Sequence, residues 1–353
     1  MTRKDFLKTM AAGLAAVPAS VTAAAPAGRL TRGVSLYCYQ EEFYTRAMTL
    51  EDCLSEASSI GARAIELLPE QMVPDFPNPP DRWVDQWRTW MDKYRLVADT
   101  YTQFQDTVLI KGQDLPLDQG LAMLERDLKL AKRMGFRNMR LLIGTPVDVI
   151  DHGIPLAEKY GIWMGCEIHA PAHIDSPLVH RWIEIAEKHK TQSFGLIPDF
   201  GIFQTRPPRV QTERQIRDGM LSERAVRYIE TAWENKEQKD KVAAEVAKLG
   251  GTPGDRQYVN MLYSAKMEDP RELLPLKRYI RHYHAKFYEM TEDFHETCIP
   301  YEKVIPVLLE GGIEASIVSE YEGQRHTQDI METDSCEQVR RQHVMLRRLF
   351  GEI

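Results

Sequence analysis

The cysteines of this chain make no Cys-x-x-Cys pair, and their number is odd: Cys38, Cys53, Cys166, Cys298 and Cys336 are scattered along it. That usage supplies neither a disulfide framework nor a zinc ribbon. Long apolar runs are missing too. The Ala-rich stretch at positions 10–21 is too short and too small-residued to cross a bilayer, and a mean hydropathy of −0.41 excludes a polytopic membrane protein. No tract of Lys and Arg interrupts a balance of 45 basic and 52 acidic residues, net −7. Nucleic acid is therefore not an expected partner. There is no internal repeat, and no low-complexity segment beyond the first 27 positions.

Apolar residues make up 43% of 353, enough to fill one large α/β barrel or two smaller domains. Thr2-Arg3-Lys4-Asp5-Phe6-Leu7-Lys8 resembles a twin-arginine export signal with Lys4 in place of the second arginine, and Ala23-Ala24-Ala25 offers small residues for cleavage. The alternative, an amphipathic helix, lacks a polar face. Positions 1–27 are thus expected to be an export signal, which implies a periplasmic protein folded over 30–353.

From position 32 onward strand-like and helix-like stretches alternate. The strands are expected at 33–37, 64–68, 96–100, 138–143, 162–169, 194–199, 280–287 and 314–320, with helices between them, including 117–134 ended by Gly135. Thr49-Leu50-Glu51-Asp52 has the pattern of an N-cap opening a helix. Trp83, Trp87 and Trp90, spaced by four and three, read as the core-facing stripe of another. Eight such units imply a (β/α)8 TIM barrel. One interval breaks the rhythm: positions 202–278 are charged and helical in pattern, so a helical insertion is expected between strands 6 and 7. It leaves from the carboxyl end of a strand, where barrel active sites are built, and reads as a lid or partner surface.

The stretch Gly165-Cys166-Glu167-Ile168-His169-Ala170-Pro171 carries the chemistry. Strand side chains alternate, so Glu167 and His169 face the same side and Cys166 the other, as a packed core thiol. A carboxylate and an imidazole there are costly to bury without a partner; the plain alternative is a strand end that has reached solvent. The next three strands also end in metal-competent groups: Asp199, then His284 or His282, then Glu320. Neighbouring strands lie about 5 Å apart, so these ends can converge on one ion. Three carboxylates and an imidazole form a hard, oxygen-rich set suited to Mn²⁺, with Mg²⁺ or Co²⁺ as further candidates. The candidate metal ligands are then Glu167, Asp199, Glu320 and one of His284 and His282. His169, one pleat further out, is the best free acid/base, against the alternative of a histidine bonded to a loop carbonyl. Either glutamate can double as base. Lys286 serves to stabilise an oxyanion, or else is a solvated rim lysine. Glu322 fits a supporting place rather than a ligand's. Arg206 and Arg209 are candidates for holding a phosphate, or are exposed loop arginines.

The order Glu-x-His (Glu167, His169), Pro-Asp-Phe (Pro198, Asp199, Phe200), His-x-His-x-Lys (His282, His284, Lys286) and Ser-Glu-Tyr-Glu (Ser319 to Glu322) resembles the xylose-isomerase-like TIM-barrel superfamily, the sugar phosphate isomerase/epimerase group. Within it the runs around Glu167 and His284 look most like the catalytic subunit of C-glycoside deglycosidases. The resemblance implies that the residues matching Glu167, Asp199, His284 and Glu320 bind a divalent ion and that the two glutamates flank the substrate. It also implies proton abstraction beside a sugar carbonyl: isomerisation, epimerisation, or elimination from a 3-keto glycoside. A small accessory subunit or a homo-oligomer is the implied assembly. Two other readings compete, an exported sugar-binding protein without turnover and a phosphoesterase or endonuclease on the same fold. The first needs aromatic platforms more than an ion cage; the second needs more histidines than these strand ends supply.

Overall fold

The computed structural model describes residues 29–105, 114–265 and 267–353; the twin-arginine-like segment 1–27 lies outside them. Eight parallel strands run in the order β6-β5-β4-β3-β2-β1-β8-β7. They are β1 (Arg29–Ser35), β2 (Ala64–Leu67), β3 (Val97–Gln103), β4 (Asn138–Leu141), β5 (Trp163–Ile168), β6 (Phe194–Pro198), β7 (His282–Phe287) and β8 (Glu314–Tyr321). Two isolated bridges, Leu196 to Ile280 and Asp199 to His284, join β6 to β7 and close the (β/α)8 barrel. At this seam Gly195 is required, since a Cβ there would meet the Tyr279 carbonyl oxygen at 2.0 Å.

The longer helices are α1 (Leu50–Ser59), α2 (Asp81–Tyr94), α3 (Leu117–Met134), α4 (Val147–Tyr160), α5 (Pro177–His189), α6 (Arg209–Arg217), α7 (Glu223–Glu234), α8 (Lys239–Lys248), α9 (Pro253–Ser264), α10 (Tyr301–Glu310) and α11 (Ser335–Leu349). Thr49 and Asp52 form a reciprocal capping box on α1. Gly135 ends α3 at φ 90°, a conformation glycine adopts without steric cost. Trp87 is fully buried on α2, with Trp83 and Trp90 packed at its edges. Strands β2 and β4 to β7 are buried along their whole length, as a parallel sheet covered on one face by helices and filled on the other must be.

The first strand differs from expectation. It begins at Arg29, and Leu36–Tyr39 is a turn of 3₁₀ helix at the rim. Its apolar and aromatic residues read as a strand continuing, but the sheet pairing of β1 with β2 stops at Ser35. Between β6 and β7 lie α6 to α9. Leu221, Ile229, Val242, Val246, Tyr258 and Leu262 form an apolar cluster of their own there, separate from the barrel core. Arg209 pairs with Glu289, after β7, and Arg217 pairs with Asp329, after β8. These helices are therefore tied to the carboxyl-end loops. Among the described residues no helix is long and apolar enough to cross a membrane.

Candidate metal centre and active site

Glu167 in β5, Asp199 just after β6, His284 in β7 and Glu320 in β8 are all buried, and each offers a ligand atom within 4.8 Å of the others'. The Nδ1 atom of His284 lies 2.9 Å from Glu167 Oε1, 3.2 Å from Glu320 Oε1 and 3.9 Å from Asp199 Oδ2. Gly201 donates its N–H to Asp199 Oδ1 at 2.6 Å and so fixes that carboxylate. A Cβ on Gly201 would come within 2.7 Å of the same oxygen, so the approach needs glycine.

Two charged side chains that the strand-end reading passed over complete the cluster. Glu66 sits in the middle of β2, and its Oε2 is 2.8 Å from Nε2 of both His284 and His282. Arg140 in β4 donates to Glu167 Oε2 at 2.8 Å and lies 3.7 Å from Glu66 Oε1 and Glu320 Oε1. The available signal was a charged residue inside a short apolar strand, Ala64-Ile65-Glu66-Leu67 and Asn138-Met139-Arg140-Leu141. His282 faces Thr100 Oγ1 at 3.0 Å and Asp99 Oδ2 at 3.2 Å through Nδ1, so it lies beside the ion cage and not in it.

Burial alone would raise these carboxyls; where they end up depends on their neighbours. For Glu167, Arg140 and His284 outweigh burial and hold it at about 2. Glu66 and Glu320 are likewise held well below the carboxylate range against burial, Glu66 by the two histidines and Arg140, Glu320 by His284 and Lys286. Asp199 goes the other way: burial, reinforced by Glu320 and Glu167, outweighs Lys286 and pushes it well up. His284 is raised well above the usual imidazole range, its burial overcome by Glu320 and Glu66.

The residues present fit a divalent cation. Asp199 Oδ2 and Glu320 Oε2 are buried without a well-formed hydrogen bond and share one ammonium, Lys286 Nζ at 3.1 and 3.4 Å, which leaves both short of partners. Four buried carboxylates, Glu66, Glu167, Asp199 and Glu320, face two permanent cations, Arg140 and Lys286. Counted fully ionised, the carboxylates exceed these cations by two charges; with His284 raised and Asp199 pushed up, protons hold that excess where a divalent ion would replace them.

Lys286 is 1% exposed, so it is no rim lysine. Its Nζ lies 3.1 Å from Asp199 Oδ2, 3.4 Å from Glu320 Oε2, 3.4 Å from Glu322 Oε1 and 2.7 Å from His169 Nε2. His169 is half-buried, and its Nδ1 is 2.6 Å from the Ala170 carbonyl oxygen. The loop-carbonyl bond foreseen as an alternative is therefore present, and it directs the other ring nitrogen at Lys286. A carbonyl oxygen only accepts, so Nδ1 carries the proton and the Nε2 lone pair receives the Lys286 ammonium. Glu322 stands behind Lys286, and Cys166 is a buried core thiol. Arg206 pairs with Glu230 and Glu234, and Arg209 with Glu213 and Glu289, so both guanidiniums are committed to carboxylates and the phosphate-holding expectation finds no support.

Residues 54–335 match the model of the xylose isomerase-like TIM barrel family. The chain is 28% identical over 340 residues to the 3'-dehydrocarminate deglycosidase alpha subunit of a Microbacterium species, an alignment covering 91% of this chain and 95% of that protein. It is 27% identical over 334 residues to a C-glycoside deglycosidase alpha subunit of Arthrobacter globiformis, covering 91% and 92% respectively. A solved sugar phosphate isomerase/epimerase of Parabacteroides distasonis shares the fold, with a TM-score of 0.54, 11% identity, and coverage of 94% of this chain and 98% of that one. A barrel with its polar cluster at the carboxyl ends of β5 to β8, matched over most of its length, belongs to the xylose isomerase-like TIM barrel family.

Proposed function

We propose that this chain is a divalent-metal-dependent enzyme that removes a proton beside a sugar carbonyl, and that it acts as a β-eliminating lyase on 3-keto glycosides, C-glycosides included, rather than as an isomerase or epimerase. The observation that carries the proposal is the buried cage of Glu167, Asp199, His284 and Glu320 with His169 and Lys286 beside it. The deglycosidase names of the relatives favour elimination over isomerisation. Glu167, Asp199, His284 and Glu320 would hold the ion, Mn²⁺ by the chemistry of the set. When bound, such an ion polarises a sugar carbonyl and makes the adjacent C–H acidic.

His169 would take that proton at Nε2, whose lone pair accepts from the Lys286 ammonium until the substrate parts them, Nδ1 being held by the Ala170 carbonyl. Lys286, fixed by Asp199, Glu320 and Glu322, would turn its ammonium from that nitrogen to the sugar oxygen, freeing the His169 lone pair and stabilising the negative charge that develops there. The electron pair of the broken C–H bond forms a double bond, and the substituent β to the carbonyl leaves with its own pair and takes up the proton that His169 collected, which returns the ring to its starting state. Without a leaving group, the proton returned to carbon makes the enzyme an isomerase or epimerase. A lid or partner-docking role for α6 to α9, an accessory subunit or homo-oligomer, and a periplasmic address read from Arg3-Lys4 belong to the same proposal.

The test is metal content of the purified protein by mass spectrometry, beside a Glu167→Ala/Glu320→Ala double variant. The screen that follows offers ketoses and 3-keto glycosides in D₂O. One equivalent of divalent ion in the wild type, lost in the variant, together with proton exchange or aglycone release, supports the proposal. No bound metal after reconstitution with Mn²⁺ overturns it and leaves the non-catalytic sugar-binding reading ahead.

A further inference from the structure

We infer that Glu66, backed by His282, is a positioning residue that fixes the tautomer of His284, so that this imidazole ligates through Nδ1. The inference rests on the metal-binding reading above. Glu66 is fully buried, and every acceptor direction of its carboxylate meets a donor. Ser35 and Thr102 donate their hydroxyls to Oε1 at 3.1 and 3.0 Å. Oε2 is left to the two histidines, each with Nε2 at 2.8 Å. A carboxylate with these neighbours accepts, so both ring nitrogens are N–H donors. Without an ion Nδ1 of His284 meets the Glu167 and Glu320 carboxylates at 2.9 and 3.2 Å and donates as well; an ion held by those carboxylates would replace the Nδ1 proton, while Glu66 keeps the proton on Nε2. A carboxylate behind a metal-ligating imidazole sets ring orientation and raises ligand basicity.

His282 keeps Glu66 from swinging toward Arg140. Its ring meets that of His284 edge to face, at 5.4 Å and 76°, and its far nitrogen is anchored by Thr100 and Asp99. The same three residues, Glu66, His282 and His284, also come close enough together to suggest a second cation site. The geometry argues against it: Arg140 stands 3.7 Å from Glu66, the other oxygen is occupied by hydroxyl donors, and the two 2.8 Å contacts suit N–H···O bonds.

The experiment is long-range ¹H–¹⁵N correlation on the full chain with ¹⁵N-labelled histidine, with and without Zn²⁺ as a diamagnetic probe. His284 is assigned by the loss of its signals in His284→Asn. Protonated Nε2 in both spectra, with Nδ1 protonated before Zn²⁺ is added and deprotonated and shifted by it, is the expected result. Nδ1 still protonated with Zn²⁺ bound, or a metal shift at Nε2, overturns the inference while leaving the metal site standing. Metal titration of Glu66→Gln and His282→Gln should show affinity weakened about 10–100-fold; an unchanged dissociation constant in a folded Glu66→Gln also overturns it. If Glu66→Gln does not fold, the wild-type tautomer decides. A wild type that takes up no Zn²⁺ or Mn²⁺ removes the function proposed above and this inference with it.

Discussion

Replacing Arg140 by methionine tests whether the charge pattern of the barrel interior has been understood. The guanidinium lies 2.8 Å from Glu167 and 3.7 Å from both Glu66 and Glu320, and is nearly buried. At an effective dielectric of about 20, one such contact is worth roughly 4–6 kcal/mol before desolvation. Methionine removes the cost of burying the guanidinium and returns some apolar contact, but it leaves Glu66, Glu167 and Glu320 facing one another across His284. We predict a net loss of about 3–5 kcal/mol for metal-free protein at pH 7, the range found when one partner of a buried ion pair is removed. Against a total of about 5–15 kcal/mol, that is a large fraction of the stability. Urea unfolding followed by circular dichroism measures it, on the wild type, Arg140→Met, Glu167→Gln and the double variant. Because an amide no longer needs the guanidinium, the double variant should retain at least about 2 kcal/mol more than the sum of the single losses allows. A loss under about 1 kcal/mol, or strict additivity, refutes the reasoning.

Two other predictions are more local. His169→Asn and Lys286→Met should each lower turnover by about 10²–10⁴-fold on whatever substrate the screen identifies. The metal content should stay at the wild-type value, and a variant that lost its metal would show the residue to be part of the cage. His343, fully buried behind β8, has its ordinary value pushed down to about 3 by burial and by Arg32, which donates to its Nδ1 at 2.8 Å. The unfolded chain then binds the extra proton below about pH 6.5. Stability contributed by the neutral ring is complete above that pH and is lost as pH falls toward 3, by several kcal/mol at the limit. Urea midpoints between pH 7.5 and 4.5 should therefore fall less steeply in His343→Gln than in the wild type; parallel slopes would count against it.

What could be read in the chain follows from distance along it. Strand-to-helix alternation, the Thr49 cap and the Gly135 stop are local signals, and the structure bears them out within a few residues, apart from the rim turn at Leu36–Tyr39. The Glu167, Asp199, His284 and Glu320 set was legible because each residue stands at or near the end of an apolar run. Glu66 was not, since its position inside a strand is explained only by His282 and His284, more than 200 positions away. Arg140 is similar: a buried guanidinium makes sense only once Glu167 and Glu320 are known to converge on it. Lys286 reads equally as rim or interior from sequence, and packing around β7 decides for the interior.

The seam between β6 and β7 has a mechanical consequence. The other neighbouring strands are laced by ladders, that of β2 and β3 with one shift of register, whereas this pair is joined by two isolated bridges, one of them between Asp199 and His284. The barrel is thus a hoop with one weak link, and two of the four candidate ligands sit on opposite sides of it. A cation gripped by both would act as a clasp, drawing the free ends of the sheet together at the place where α6 to α9 branch off. Loading the site and tightening the hoop would then be a single event, and backbone amides along β6 and β7 would exchange more slowly with solvent deuterium once the clasp is shut.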